Sequence, residues 1–477
     1  MFIPSHLLLL NIMSKIKLKQ LSKIGYTNNQ ARTIAINIMS KFYKHHTSKE
    51  VEDLLIDIKT NPQKYVNDNI LNKIAFCFIE KTEEINFQCY ELNTEAKALK
   101  TFGANNIDTT AKQQMDIALK LPITVKGALM PDAHAGYGLP IGGVLATENA
   151  VIPYGIGVDI GCRMAMTIFD ANEKAFNQYH YQCKTALKEW THFGMEGGLD
   201  VKQEHEILDD KVFNEIPFIK QLKGKAYKQL GSSGSGNHFV EWGLLDMQMQ
   251  NKLNLKEGKY VALLSHSGSR GLGANIAMHY FQEAMNVCKL PSYAKYLAWL
   301  DLDSELGQEY WHAMTLAGNY AKACHDVIHK NLTKQVGFTS ILTIENHHNF
   351  AWKEMVDGKE LIVHRKGATP ANKNEFGIIP GSMVHKGFLV SGKGNELSLN
   401  SASHGAGRAM SRAKAKITNT VSGMKKMLAD HNITLIGGST EEAPNAYKDI
   451  EQVMFAQQEL VNIEGIFQPK IVRMNKE

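Results

Sequence analysis

Gly157-Val-Asp-Ile-Gly-Cys-Arg-Met-Ala-Met-Thr-Ile-Phe169 joins a glycine-rich loop carrying Asp159, Cys162 and Arg163 to a β-forming run, Met164 to Phe169. The same texture recurs along the chain. Short glycine bursts lie beside β-rich runs at Val144 to Ile152, His238 to Leu245, Tyr260 to Leu264, Ile341 to Ile344 and Leu361 to His364. Helix-compatible stretches fall between them, at 172–190, 273–290, 294–331, 404–430 and 447–462. Their order is irregular and not a steady βαβα alternation, so an α+β fold is expected, with one large domain over 96–477. No repeat of about 20–50 residues is visible, which excludes solenoids and propellers.

Ahead of that body the composition changes. Residues 1–95 are poor in glycine and rich in Lys, Asn and Ile, and Ala31 to Phe42 has the apolar spacing of a helix. Ser48 reads as an N-cap, with Glu52 one position beyond a capping box. A small N-terminal helical extension is expected. The opening run, Met1 to Leu10, lacks the basic leader of a signal peptide, and Lys15, Lys17, Lys19 and Lys23 follow it. Translation is expected to start at Met13, leaving the first 12 residues untranslated.

The 477 residues are 44% hydrophobic and 21% charged, enough to bury a sizeable core and not the balance of a disordered chain. Apolar runs such as Leu7 to Leu10 are far shorter than the roughly 18–20 residues that span a bilayer, so no membrane association is expected. Six scattered cysteines follow no disulfide spacing, and a cytoplasmic protein with reduced thiols is expected. The net charge of +5 tolerates a polyanionic substrate without announcing one.

Polar residues gather where β-runs meet glycine loops: Asp132 and His134; Asp159, Cys162 and Arg163; Asn237, His238 and Glu241; His266 and Arg270; His347, His348 and Asn349; His404 and Arg408. Glycine permits close backbone approach to a ligand and exposes amides that can bind phosphate. One such loop is more often a turn, and a lone His more often a satisfied structural residue. Their recurrence is what points to a site. Thiolate and imidazole suit Zn, Mn, Fe or Co, and carboxylate suits harder ions such as Mn²⁺. Asp159, Cys162, His238, His266 and His348 are enough for two ions sharing a thiolate, although Cys162 also suits a buried apolar position. His404, glycine-flanked and placed by its spacing at a helix start, would face a positive dipole end that depresses imidazole pKa. Nucleophile, metal ligand and capping residue all fit it; spacing does not order them. Arg163, Arg270, Arg365, Lys366 and Arg408 beside the loops suit phosphate. Residue chemistry stops at a metal-dependent phosphoryl or nucleotidyl transferase or hydrolase.

Taken in order, these motifs resemble the RtcB family of RNA-splicing ligases. The matching segments are Met130–Gly143, Gly157–Cys162, Gly234–Glu241, His266–Gly273, His347–Asn349, Arg365–Ala368, Ile378–Met383 and Ser403–Arg412, within about 97–477. The resemblance implies the family's own α+β fold and a GTP- and Mn²⁺-dependent RNA ligase. Such an enzyme joins 2′,3′-cyclic phosphate or 3′-phosphate ends to 5′-hydroxyl ends, in RNA repair or tRNA splicing, and can work with an archease-type activator. It implies His404 as the guanylylated nucleophile and Asp159, Cys162, His238, His266 and His348 as ligands of two Mn²⁺ ions. Asn237, Glu241, His348, Asn349, Ser382, Met383, His404, Ala406 and Gly407 are the implied guanylate contacts. Asp132, Arg270, Lys366 and Arg408 match the phosphate or active-site surround.

Three positions depart from the family pattern. Gly387 stands where a guanylate-contact serine is usual, Met474 where a lysine reaches the guanine, and Tyr137 where many members carry lysine. Lys476 lies two residues beyond Met474. An altered guanylate pocket also suits a metal-dependent phosphoesterase that opens cyclic phosphates without sealing.

Overall fold

The run after Cys162 forms a strand, Arg163–Phe169, whose alternate residues enter two cores. Met164, Met166 and Ile168 pack with Leu245, Ile344 and Phe467. Phe169 packs on the other face with Phe176, Trp242 and Ile328. A strand covered on both sides reads as a nearly continuous apolar run, as this one does. The computed structural model describes residues 16, 18–66, 68–79, 87–194, 198–199 and 201–476; the expected start at Met13 lies outside them.

The chain divides into two units, Met1–Ile85 and Asn86–Glu477. Sequence composition set the boundary at 95. Gln88–Cys89 instead pairs in parallel with Cys288–Lys289, and Tyr90 stacks on Trp299, which places this stretch in the larger unit. The small unit contains α1 (Leu18–Lys23), α2 (Asn29–Phe42), α3 (Ser48–Thr60) and α4 (Asn72–Ala75) around Leu21, Tyr26, Ala35, Leu55, Ile58 and Ile74. Thr47, and not Ser48, caps α3. Its side chain accepts from Glu50 N–H while the Glu50 carboxylate accepts from Thr47 N–H, which completes the capping box.

The larger unit carries β1 (Thr124–His134), β2 (Ile141–Thr147), β3 (Arg163–Phe169), β4 (Phe239–Met247), β5 (Gly258–Ser267), β6 (Ser340–His347), β7 (Asn349–Val356), β8 (Lys359–Lys366), β9 (Phe376–Ile379), β10 (Gly387–Gly392) and β11 (Val461–Met474), with shorter strands beside them. An eight-stranded sheet runs β6-β3-β5-β4-β11-β10-β9, with Thr434–Ile436 added in parallel to β11. A five-stranded sheet runs β7-β8-β2-β1 and ends on Ala98–Thr101. Helices α5 (Glu173–Trp190) and α6 (Arg270–Val287) precede the long α7 (Glu305–Val336). The arrangement is a mixed α and β domain preceded by a helical region, as the irregular element order predicts. No helix among the described residues is long and apolar enough to cross a membrane.

Three helical expectations need correction. The stretch 294–331 begins as helix only at Glu305, because Ser304 caps α7 by accepting from Gly307 N–H while Leu300–Asp301 pairs with Ala150–Val151. The stretch 404–430 breaks into Arg412–Thr418 and Val421–Asp430, each with its own hydroxyl cap, Ser411 and Thr420. Of 447–462 only Ile450–Phe455 is α-helical, and β11 begins at Val461.

Candidate active site and metal centre

Sheet register collects the site. In the antiparallel ladder Met164 faces His266, Phe239 faces His266 and Arg163 faces His347. The starts of β3 and β4 and the ends of β5 and β6 therefore meet at one end of the sheet. Cys162, His238, His266 and His348 sit at or beside those four strand ends. Cys162 Sγ lies 3.3 Å from His238 Nε2 and 3.2 Å from His266 Nε2. His348 Nε2 is 3.2 Å from His266 Nε2, and Asp159 Oδ2 is 3.0 Å from His238 Nε2. Two ligand groups result, Cys162/His266/His348 and Asp159/Cys162/His238, each with donor atoms within 4.8 Å of one another. Cys162 belongs to both.

The donors fit a metal ion. His266 Nδ1 faces the Asn237 carbonyl at 3.1 Å, so its proton is held there and the Nε2 lone pair points into the cluster. Burial pushes His266 down to about 3 and His348 well below its ordinary range, keeping both imidazoles in the neutral, ligating form. Burial, the largest single cause, opposes ionisation of Asp159, but His238, Cys162 and His266 together outweigh it and hold the carboxyl below its usual value. Burial and the Asp159 charge push the Cys162 thiol well up, a balance that a bound divalent cation inverts. Sequence reading did not single out His325 and His329, one helical turn apart on α7. His325 Nε2–H donates to the Ser267 carbonyl at 3.2 Å, and both rings meet Ser265 Oγ, at 2.6 and 2.7 Å, beneath the strand that carries His266. The i, i+4 spacing was the available signal.

His404 does not stand at a helix start. It follows the short strand Ser401–Ser403, and the next helix begins at Arg412, so a dipole does not set its ring. Asp132 does. His404 Nδ1–H donates to Asp132 Oδ2 at 2.7 Å, and the carboxylate is fully buried. Burial alone would raise the Asp132 carboxyl; its interaction and hydrogen bond with His404, with nearby Lys448 and His134, together outweigh it and hold it below its ordinary value. The loop needs Gly407: its φ is +72°, and a Cβ there would lie 2.2 Å from the Asp132 carbonyl oxygen. His404 and His348 rings are 5.0 Å apart, which places the histidine beside the metal centre.

A deep cavity opens from His404. Asn237, Glu241, Ser382, Met383, His404, Ala406 and Gly407 line it, against an apolar wall that includes Phe239, Phe467 and Met474. Glu241 is 4% exposed, and burial raises its carboxyl well above the usual range. His348 and Asn349 do not line the cavity. Asn349 instead ties loops together, donating to the Asp159 carbonyl and accepting from Gly367 N–H. Gly387 and Met474 both face the cavity, whereas Lys476 is exposed and outside its lining.

Most of the expected phosphate cations are spoken for internally. Arg163 binds Glu345 and the Gly318 carbonyl; Arg365 is bidentate to Glu354. Arg270 donates to Ser232 and the Gly194 carbonyl, and Arg408 to Glu442 and the Glu441 and Met410 carbonyls. Arg412, the last residue of the Ser403–Arg412 segment, lines the cavity with a half-exposed side chain and a loose 3.4 Å contact to Glu442.

Lys366 donates to the Tyr137 and Tyr154 carbonyls, and burial lowers its pKa to about 7. Between pH 7 and the ordinary lysine value the unfolded chain therefore binds more protons than the folded one, and stability rises with pH. Relative to Lys366→Met, the wild type should gain on the order of 1–2 kcal/mol between pH 7 and 9 in urea unfolding. A difference that stays flat with pH would contradict the lowered pKa of Lys366.

A metal-capable centre sharing a wall with a deep cavity, and a carboxylate-held histidine between them, defines the class of metal-dependent phosphoryl- or nucleotidyl-transfer enzymes. Comparison with known proteins narrows it. The family described as tRNA-splicing ligase RtcB matches residues 113–221 and 180–474. The RNA-splicing ligase RtcB of Escherichia coli K12 is 34% identical over 392 residues, covering 75% of this chain and 92% of the relative. The tRNA-splicing ligase RtcB of Nanoarchaeum equitans is 32% identical over 426 residues, covering 74% and 88%. An RtcB homolog of Entamoeba dispar is 30% identical over 419 residues, covering 73% and 80%. The chain belongs to the RtcB family of RNA ligases.

Proposed function

We propose that the chain uses GTP to join RNA ends bearing a 2′,3′-cyclic phosphate or 3′-phosphate to 5′-hydroxyl ends, with His404 carrying the guanylate. The setting is RNA repair or tRNA splicing in the cytoplasm, with an archease-type activator as a partner. The observation that carries the reading is the 2.7 Å bond from His404 Nδ1–H to buried Asp132. It fixes the tautomer, leaving the Nε2 lone pair free to attack phosphorus.

Asp159, Cys162, His238, His266 and His348 would hold two Mn²⁺ ions, which when bound neutralise phosphate charge and polarise the phosphorus. The protein's own groups do the rest. His404 Nε2 forms a bond to the α-phosphorus as the bond to the β-phosphate breaks and pyrophosphate leaves. The positive charge that this puts on the ring is matched by Asp132, which keeps the Nδ1 proton. A cyclic end is first opened by water to a 3′-phosphate; its oxygen then takes the guanylate and frees Nε2. Attack by the 5′-hydroxyl on that 3′-phosphorus releases GMP and leaves the phosphodiester. Glu241, which lines the cavity as does Glu442, would in its ionised form accept from the paired N–H donors of a guanine edge; adenine offers one donor and an acceptor. Ser382 and the backbone at Ala406 and Gly407 line the side of the cavity next to His404.

The test is joining. With GTP and Mn²⁺, an RNA carrying a 2′,3′-cyclic phosphate should be sealed to a 5′-hydroxyl strand, and omission of GTP should stop sealing. Opening of the cyclic phosphate with no joining would replace this reading by the phosphoesterase one.

A further inference from the structure

Tyr137 is 64% exposed, an unusual state for a ring of its size that has neighbours to pack on. It stands at the front of an aromatic cluster. Its ring meets Tyr296 edge-on at 5.8 Å and Tyr154 at 6.4 Å, and Phe281 packs behind them, 4.6 Å from Tyr154 and stacked on Tyr296 at 5.7 Å. Two lysine Nζ atoms lie over the cluster: buried Lys366 Nζ is 5.0 Å from the Tyr154 ring and Lys295 Nζ 5.1 Å from that of Tyr296. The loop is pressed onto the pile at Gly138, whose φ is +68° and whose Cβ position lies 2.8 Å from the Tyr296 carbonyl oxygen.

The cluster borders the reacting histidine without entering the nucleotide cavity. Tyr137 is three residues beyond His134, which lines that cavity, so the two are at most about 10 Å apart along the chain. Lys366 precedes Gly367, whose Cβ position would be 3.2 Å from His404 Cε1. None of Tyr137, Tyr154, Tyr296 and Lys366 lines the cavity. With GTP in the cavity, an RNA end has to approach His404 from outside it. An exposed ring on a rigid aromatic support, with the Lys295 cation beside it, matches the way single-stranded RNA bases are held.

We infer that Tyr137, backed by Tyr154 and Tyr296, is a stacking surface for the terminal nucleobase of the RNA being joined. This rests on the RNA-joining reading above. Tyr137→Ala should raise the KM for RNA about 5- to 150-fold, the range expected for loss of one base stack, with kcat at saturating RNA much less affected. Tyr137→Phe should restore a KM near that of the wild type. Unfolding midpoints of both variants are measured alongside, so that a collapsed loop is recognised. 2-Aminopurine at the last base of the 3′-phosphate strand, and separately at the first base of the 5′-hydroxyl strand, identifies the stacked end. One of the two should be quenched by wild type and Tyr137→Phe but not by Tyr137→Ala. An unchanged KM in Tyr137→Ala, a Phe variant as poor as Ala, or no Tyr137-dependent quench on either strand overturns the inference. Guanylylation of wild type by GTP alone separates the two failures: a labelled protein with an unchanged RNA KM sinks only the stacking surface, whereas no label sinks the reaction on which it rests.

Discussion

Cys162→Ala should leave the fold intact, strip bound transition metal from the protein, and reduce joining of RNA ends by roughly a thousandfold or more. The size follows from position. Cys162 is the one residue common to both ligand groups, so its loss leaves two ligands in each. Asp159 and His238 would remain in contact at 3.0 Å, and His266 would keep its bond to the Asn237 carbonyl. The side chain is small and buried, so the truncation removes little apolar surface, and the unfolding midpoint without metal should move by only a few degrees. Metal content by mass spectrometry, read beside activity, decides the matter. A variant that joins RNA at the wild-type rate, or retains a full complement of metal, would contradict the shared-thiolate centre.

Asp132→Asn should slow guanylyl transfer to His404 by about 10³- to 10⁴-fold, the loss expected when the carboxylate orienting a reactive histidine becomes an amide. Asp132 touches no phosphate in this account; it positions His404. An asparagine can present N–H to Nδ1 and so drive the proton to Nε2, the atom that has to attack. It also removes the negative charge that stabilises the ring once phosphorus is attached. The expected signature is selective: GTP affinity and metal content near wild type, with the chemical step slow. GTP binding that falls in proportion to the rate would instead make Asp132 part of the nucleotide pocket.

Much of this site was legible in the sequence because its side chains lie next to glycines at strand ends, where composition and spacing speak. The Asp159, Cys162, His238, His266 and His348 positions were all chosen from such loops, and the strand register brings them within a few ångströms. What was not legible depends on partners far away in the chain. Arg408 beside a glycine loop looks like a phosphate ligand until Glu442 is seen to hold it, and Arg365 likewise until Glu354 appears. His404 was placed at a helix start because the basic stretch after it has helical spacing. Nothing local shows that Gly407 turns the chain against Asp132, which lies 272 residues before its partner His404. No β-run is expected at β11, and the helix expected over 447–462 overlaps it at Val461 and Asn462: Gly465 and Pro469 break its apolar alternation, and the register shifts between Pro469 and Ile471. The stretch before Glu305 has helix-like spacing too, but Ser304 sets the true start through a cap that spacing alone does not weigh.

Whether His404 carries the guanylate is decided by one labelling assay. Purified protein is incubated with α-³²P-GTP and Mn²⁺ and run on a denaturing gel beside His404→Ala. The account predicts an acid-labile, alkali-stable label on the wild type, as a phosphorus–nitrogen bond to histidine requires, and none on the variant. A label that persists on folded His404→Ala would contradict it.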